Sequence, residues 1–277
     1  MSENRALLIE TAERLFGDLS ANGARPSDQA SQRLTDAGFH LLLVPEAKGG
    51  FGGDWGDACA VLRLAGYHAL DAPLADSMLA CERRTEANLP QPQGLHLLTP
   101  QANDVSPEEL DSFRLGAFTR AALICGALDA TLAMSVEYAN QRVQFGKPIG
   151  KFQVVQHALA CFAQEAAAVN CATQAAAAAL DAGNGEFEVA AAKLRANSAA
   201  GIAHATAHQV HGAMGFTQEY PLHRWTRRLL AWSCEFGAER HWSEVLGRQV
   251  ATRGAQNLWR DLTARSDRPC ADPRRAR

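Results

Sequence analysis

The sequence predicts an all-α protein, with an N-terminal helical domain followed by a C-terminal antiparallel four-helix bundle. Apolar residues recur at three- and four-residue spacing along most of the chain. Gly and Pro are concentrated in a few short stretches between these periodic segments. Long periodic segments joined by short turns are typical of an antiparallel bundle. The 277 residues are enough for one large or two small hydrophobic cores.

The N-terminal helical domain is predicted over residues 1–86. Its first helix has one apolar face, and a second helix is expected at 27–37. A short apolar run, interpreted as a strand, leads into the glycine-rich loop GGFGGDWG at 49–56. Such glycines could cradle a phosphate, but no βαβ pattern surrounds them, so a sharp loop feeding a helix is favoured. Two further helices are expected in ACAVLRLAGYHAL and PLADSMLACERR.

Residues 87–105 are predicted to be a linker, because they hold three prolines and only one short apolar run. The bundle is predicted over 106–262, with Ser106 as the N-cap of its first helix. A disordered tail is expected over 263–277. The bundle helices are expected at about 107–141, 151–182, 186–211 and 239–262, with a shorter helix in EYPLHRWTRRLLAW.

Composition excludes several classes of protein. The formal net charge of −3 provides no field that would attract nucleic acid. The seven cysteines form no CxxC pair, which favours a reducing cytoplasm over a disulfide framework. Acidic residues interrupt the N-terminal apolar stretch, so no signal peptide is expected there. No segment has the uncharged apolar length of a membrane span.

Two clusters of basic side chains have alternative interpretations. His204, His208 and His211 lie on one helical face and could hold a metal. Because no carboxylate or cysteine lies nearby in sequence, hydrogen-bonded or interface histidines are favoured and no metal is expected. A basic face, formed by Arg224, Arg227 and Arg228, could pair with acids at the surface or meet a phosphate.

Two turn segments combine groups that suit a cofactor. RVQFGKPIGKFQ (142–153) joins two long helices and brings a guanidinium next to an aromatic ring. A guanidinium binds phosphate oxygens in a bidentate manner, although a capped interhelical turn would explain the same residues. HQVHGAMGF (208–216) ends a helix with glycines at which a backbone can approach a ligand, or which serve as a simple C-cap.

Together these segments resemble the two signatures of the acyl-CoA dehydrogenase family, with Ala213 in place of one glycine of the second. GFHLLLVPEAKGGFGGDWGD resembles the family's N-terminal motif, so the resemblance covers residues 1–85 and 107–250. It implies α,β-dehydrogenation of an acyl-CoA thioester, in which a Glu carboxylate removes the α-proton and FAD accepts a hydride. It also implies a dimer or tetramer and an electron-transfer flavoprotein as electron acceptor. The implied FAD contacts are Arg142, Phe145, Gln153, Gln209 and Gly212.

The chain departs from this family in two respects. Members carry a β-barrel domain between the helical domains, whereas only residues 87–105 stand at that place here. A barrel needs many tens of residues, so the middle β-domain is expected to be absent or vestigial. In register with the family, the usual base position falls on Phe236, and the alternative position on the long helix falls on Gly116. Glu235 is the only carboxylate adjacent to either position.

Three functional hypotheses follow. The favoured one is the small or non-catalytic subunit of a heteromeric acyl-CoA dehydrogenase in lipid or steroid catabolism, whose homologous partner supplies the barrel and the base. The second is a self-sufficient acyl-CoA dehydrogenase that uses Glu235 as a displaced base. The third is a helical scaffold that binds no flavin and catalyses nothing.

Overall fold

A computed structural model describes residues 3–21, 28–91, 95 and 107–266. Within these residues the chain forms ten α-helices and one two-stranded hairpin, which confirms the predicted all-α class without a middle barrel.

The N-terminal part contains four helices. The short strand predicted before the glycine-rich loop is wrong, since two 3-10 turns, Phe39–Leu41 and Glu46–Lys48, occupy that stretch. Gly38 enters them with φ 74°, and no neighbouring strand pairs with this part of the chain in the described region. The helices are α1 (Glu3–Ala21), α2 (Asp28–Asp36), α3 (Trp55–Tyr67) and α4 (Leu74–Glu86).

The C-terminal part contains the bundle. Its helices are α5 (Pro107–Gln141), α6 (Gln153–Asp181), α7 (Glu186–His211), α8 (His223–Cys234), α9 (Glu239–Arg253) and α10 (Leu258–Ser266). The predicted helix over 239–262 is divided at Gly254, whose φ of 87° cannot continue an α-helix. The connection between α5 and α6 contains the antiparallel strands β1 (Val143–Gln144) and β2 (Lys147–Pro148).

Parts of the predicted organisation lie outside the described residues. These are most of the linker 87–105, the proposed cap Ser106, and residues 267–277 of the predicted tail. Helix α10 (Leu258–Ser266) includes the first residues of the predicted tail 263–277.

Helix α5 is the central element of the core. By length and composition alone, its stretch Asp111–Gln141 could cross a membrane. However, 78% of the most apolar part of this stretch is buried inside the protein. A core helix of a soluble protein passes the same test, and this burial favours that interpretation.

Two glycines allow α3 and α5 to pack closely. A Cβ on Gly66 of α3 would overlap the carbonyl of Leu123, and a Cβ on Gly126 of α5 would overlap the carbonyl of Arg63. Beside this contact the Arg63 guanidinium donates to Asp129 at 2.8 Å. The N-terminal helices are therefore held against the bundle through direct backbone approach.

We expect Gly126→Ala to destabilise the protein by about 1–3 kcal/mol, because the added methyl group meets backbone that cannot rotate away. Gly201 of α7 is the matched control: it lies inside a helix with nothing within 4 Å of its added Cβ. Gly201→Ala should stabilise by about 0.5–1 kcal/mol through helix propensity. Urea unfolding of both variants measures the difference, and equal stabilisation by both would contradict the close packing.

Candidate functional site

The hairpin between α5 and α6 has an unusual turn. Phe145 and Gly146 have φ values of 53° and 78°, and they join strands paired through Gln144 and Lys147. Positive φ at both central residues defines a type I′ turn, for which Asn-Gly is the preferred sequence. A left-handed conformation costs a residue with a Cβ about 1–2 kcal/mol, so Phe is an unfavourable choice at this position.

The same phenylalanine is also exposed. The Phe145 side chain is 91% exposed, and its one aromatic neighbour in the described structure is Phe152, with ring centroids 6.1 Å apart. The Lys147 ammonium lies 4.4 Å from the centre of the Phe152 ring. The turn therefore presents a cation and an aromatic ring to the surroundings of the chain.

An apolar cavity of about 370 Å³ adjoins this turn. We call its lining the hairpin face, which consists of Phe145, Ile149, Phe152, Val154, Val155, Ala158, Gln209 and Val210. The structure thus brings the predicted cofactor residues Phe145 and Gln209 together, although they belong to different signatures. Val154 on this face is 75% exposed.

The other predicted cofactor residues lie near the ends of the helices that carry the hairpin face. Arg142 directly follows α5, is exposed, and accepts a backbone hydrogen bond from Ile149 N at 2.8 Å. Gln153 is the first residue of α6 and is also exposed. Gly212 caps α7 with φ 57° and ψ −139°, and nothing lies within 4 Å of a Cβ built on it.

The histidines on one face of α7, which were considered as metal ligands, make contacts within the chain. His211 is buried, donates through Nδ1 to the carbonyl of Ala207 at 2.7 Å, and accepts through Nε2 from the Tyr220 hydroxyl at 3.1 Å. Burial lowers the pKa of both His211 and His208. His208 stacks on Phe216 with ring centroids 4.4 Å apart. No cluster of three metal-ligating side chains occurs among the described residues.

Two arginines of the predicted basic face contact the N-terminal part of the chain, at α1 and at the α3–α4 connection. Arg228 donates to Asp71 at 2.9 Å, and Arg224 donates to the Ser20 hydroxyl at 3.2 Å. These contacts fit the interpretation of paired surface cations better than that of a phosphate site.

The second region of interest is the connection between α8 and α9, residues 235–238, which we call the base turn. It holds two consecutive left-handed residues, Phe236 at φ 51° and Gly237 at φ 96°. Trp242 Nε1 donates to the carbonyl of Phe236 at 3.0 Å, and Asn197 Nδ2 donates to that of Gly237 at 3.1 Å. Side chains of α7 and α9 therefore hold the strained backbone.

The ring of Phe236 fills the space in front of Gly116. The phenylalanine is only 5% exposed, and a Cβ on Gly116 would overlap its ring atoms. Phe113 packs edge-on with a centroid distance of 5.9 Å, and the Arg120 guanidinium lies 5.0 Å from the ring centre. The two positions at which the resemblance places a base thus meet at one point, and neither supplies a carboxylate.

Glu235 is engaged in an ion pair. Its Oε2 accepts from Arg120 Nε at 2.5 Å, while Arg120 Nη2 donates to Asp76 at 2.8 Å. Arg120 is 6% exposed, so its charge depends on these two carboxylates. Because the Arg120 guanidinium occupies Oε2 of Glu235, this contact argues against Glu235 as the base. The assignment of Glu235 as the base stays a prediction.

Lys193 was not among the residues predicted from the sequence, yet it supports the base turn through Asn197. This residue of α7 is fully buried, and its ammonium donates to Asn197 Oδ1 at 2.6 Å and to the carbonyl of Trp232 at 2.8 Å. Burial, followed by repulsion from Arg120, lowers its pKa to about 7. A single lysine inside the alanine-rich segment AAAKLRAN has no motif that would have revealed this role.

Comparison with known proteins identifies the family. The model of the acyl-CoA dehydrogenase C-terminal domain matches residues 109–254. This match covers more than half of the chain, which therefore belongs to the acyl-CoA dehydrogenase family, as the resemblance predicted.

Two relatives that are similar in sequence differ in how much of their own length this chain spans. Acyl-CoA dehydrogenase IpdE2 of Mycobacterium tuberculosis is 27% identical over 293 residues, spanning 82% of this chain and 91% of the relative. Acryloyl-CoA reductase (NADH) of Anaerotignum propionicum is 33% identical over 150 residues, which are 54% of this chain but 37% of the relative. The chain thus spans about a third of the latter and nearly all of the former.

Solved structures show the same fold. The ChsE4–ChsE5 complex from Mycobacterium tuberculosis contains a chain that matches with a TM-score of 0.80 at 18% identity, covering 91% of this chain and 98% of that one. Butyryl-CoA dehydrogenase from Megasphaera elsdenii matches with a TM-score of 0.77 at 18% identity, covering 91% and 99%.

The buried lysine predicts a pH dependence of stability. Its pKa lies near 7 in the folded chain, below the ordinary value of 10.5, so the unfolded chain binds more protons above this pH. The free energy of unfolding should therefore rise from about pH 7 to about pH 8.5. Buried thiols lower the free energy of unfolding as the pH rises, but only at higher pH. The reason is that burial raises the pKa of Cys59 and Cys125 to about 11 and 12.

Urea unfolding across this pH range, with Lys193→Met beside the wild type, measures the effect. We expect the variant to lose the rise, while Lys151→Met, at an exposed position, should keep it. An unchanged pH dependence in Lys193→Met would assign the rise to another group.

Proposed function

We propose that this chain is the small, non-catalytic subunit of a heteromeric acyl-CoA dehydrogenase, and that it takes part in FAD-dependent α,β-dehydrogenation of an acyl-CoA thioester. The observation that supports this proposal most directly is the packing of Phe236 against Gly116. General-base removal of an α-proton needs a free acceptor within hydrogen-bonding reach. Both base positions lack one here, and an aromatic ring occupies the space between them.

The hairpin face supports participation in a shared flavin site. Arg142 offers a guanidinium to phosphate oxygens, Phe145 offers an aromatic ring, and Gln209 offers an amide beside the same apolar cavity. Gly212 leaves open space in which a ligand can approach the backbone, and Gln153 lies at the start of α6. These groups fit FAD, which would accept the hydride. The chain's own residues would bind and orient the cofactor.

The relatives support a proposal for the partner and the substrate. One structural match is the ChsE4–ChsE5 complex, and another is described as the Tcur3481–Tcur3483 steroid ACAD. We therefore propose a homologous, barrel-containing subunit as partner in a dimer or tetramer, and a bulky lipid or steroid acyl-CoA as substrate. An electron-transfer flavoprotein would receive the electrons. The six cysteines described by the structure are unpaired, which supports a cytoplasmic location.

Co-purification from the native host tests this function. We expect a second, barrel-containing homologue to accompany the chain, and the complex to be yellow and to dehydrogenate acyl-CoA. The chain alone should hold little FAD and show no turnover. Glu235→Gln in the complex should change kcat by less than about twofold, because the base belongs to the partner.

Two outcomes would favour the other hypotheses. Turnover by the chain alone that is abolished by Glu235→Gln would identify a self-sufficient enzyme. A chain that stays colourless with excess FAD, both alone and with its partner, would indicate a scaffold.

The role of the hairpin face is tested by Phe145→Asn. Asn suits the type I′ turn, so the isolated chain should gain about 1 kcal/mol of stability. The affinity of the complex for FAD should fall about tenfold, since the exposed ring is lost. Trp259→Ala, at another aromatic that is 77% exposed, serves as the control. Unchanged FAD affinity in Phe145→Asn would show that this ring does not contact the cofactor.

A further inference from the structure

Lys193 holds the base turn at both of its ends. Its ammonium donates to the carbonyls of Trp232 at 2.8 Å and Ser233 at 3.4 Å, which lie on α8 just before the turn. It also donates to Asn197 Oδ1 at 2.6 Å, and Asn197 Nδ2 donates in turn to the carbonyl of Gly237 at 3.1 Å. One amine therefore fixes the entry of the turn directly and its exit through Asn197.

The positive charge of this amine is poorly accommodated in the folded chain. Lys193 is fully buried, and a buried cation loses its hydration. The three oxygens that it contacts belong to neutral carbonyl and amide groups. Arg120 on α5 repels the charge, whereas Glu235 attracts it but is bound by Arg120. Protonated Lys193 is therefore more stable where water reaches it than in this position.

A neutral amine suits the same position. It keeps two N–H donors and one lone pair, so it serves the two short contacts, to Asn197 and Trp232, and gives up the long contact to Ser233. Burial lowers the pKa of Lys193 to about 7, so both protonation states occur near neutral pH. The base turn is thus held by a group whose charge changes in this range.

The other titratable groups on the surrounding elements differ from Lys193. Cys234, at the end of α8, is an exposed thiol that attracts the ammonium only when it is ionised. Burial lowers the pKa of His241 on α9 below its ordinary value of 6.5, so this ring titrates at lower pH than Lys193. Two carboxylates from α6 and α9 are engaged with side chains of α7: Glu165 with Arg195, and Glu239 with Ser198.

The turn that Lys193 holds is strained. Phe236 has a φ of 51° and Gly237 a φ of 96°, and the left-handed conformation is unfavourable for a residue with a Cβ. The ring of Phe236 lies so close to Gly116 that a Cβ built there would be 2.3 Å from its atoms. Loosening either end of the turn lets Phe236 return to an ordinary backbone conformation, which moves its ring away from Gly116.

We propose that Lys193 makes the base turn acid-sensitive: the turn is closed over Gly116 while the amine is neutral, and protonation of the amine opens it. Opening admits water to the ammonium and so raises its pKa toward the ordinary value of 10.5. The state with the higher pKa binds the proton more tightly, so the open fraction increases as the pH falls. This device needs neither flavin nor partner, so it and the proposed function can fail independently.

The indole hydrogen of Trp242 reports on the closed turn, because it is donated to the carbonyl of Phe236 at 3.0 Å. Hydrogen exchange of the full-length chain, labelled with nitrogen-15 tryptophan and followed by NMR, measures its protection. After correction for the intrinsic exchange rate, this protection should fall about tenfold or more between pH 8.5 and pH 6. The Trp225 indole, which donates to the carbonyl of Tyr67 at 2.8 Å, is the matched control and should keep its protection.

Constant or increased protection of Trp242 at pH 6 would overturn the proposal. An equal loss at Trp225 would also overturn it, because the whole chain rather than the base turn would then be opening.

Variants of Lys193 assign the effect. Lys193→Met removes the amine, so Trp242 should be equally protected at both pH values. Lys193→Gln, which keeps a neutral donor, repeats the test if the methionine variant does not fold. Lys151→Met, at an exposed position, should keep the wild-type response. A wild-type response in a folded Lys193 variant would assign the opening to another group and overturn the proposal.

Discussion

The positive charge of Arg120 constrains the centre of this molecule. A buried guanidinium must be paired, and removing one partner of a buried pair typically costs about 3–5 kcal/mol. Arg120 on α5 meets this requirement with Asp76 on α4 and Glu235 on the base turn. The N-terminal helices, the central helix and the base turn are thereby joined at one charge.

Two phenylalanines adopt left-handed backbone conformations, and their surroundings differ. The strain at Phe236 is offset inside the chain, since its buried ring packs on Gly116 and under Arg120. The ring of Phe145 is 91% exposed and gains only the contact with Phe152. Strain that a protein does not offset within its own packing points to a functional constraint. This exposed strain supports the proposal that the hairpin face contacts a cofactor or a partner.

Local sequence signals predicted most of the fold and only part of the site. Helix periodicity and glycine turns lie within a few residues of one another, so α5, α6 and α7 were predicted with nearly correct ends. The break at Gly254 was missed, because the surrounding sequence keeps a helical pattern. The pairing of Arg120 with Glu235 and the support from Lys193 join residues on different helices. Periodicity within one helix carries no information about such contacts.

The family features that this chain has and those that it lacks lie at different places in the fold. Residues of the hairpin face, among them Phe145 of the α5–α6 connection and Gln209 of α7, are present and share one cavity. Two features that would act on a substrate within the same chain are missing from the described residues, since these contain no barrel between α4 and α5, and Phe236 fills the base position. A chain that only preserved its fold would have no reason to keep a strained, exposed Phe145. A chain that catalysed alone would need an open base site, so this combination suits a subunit that completes the site of another.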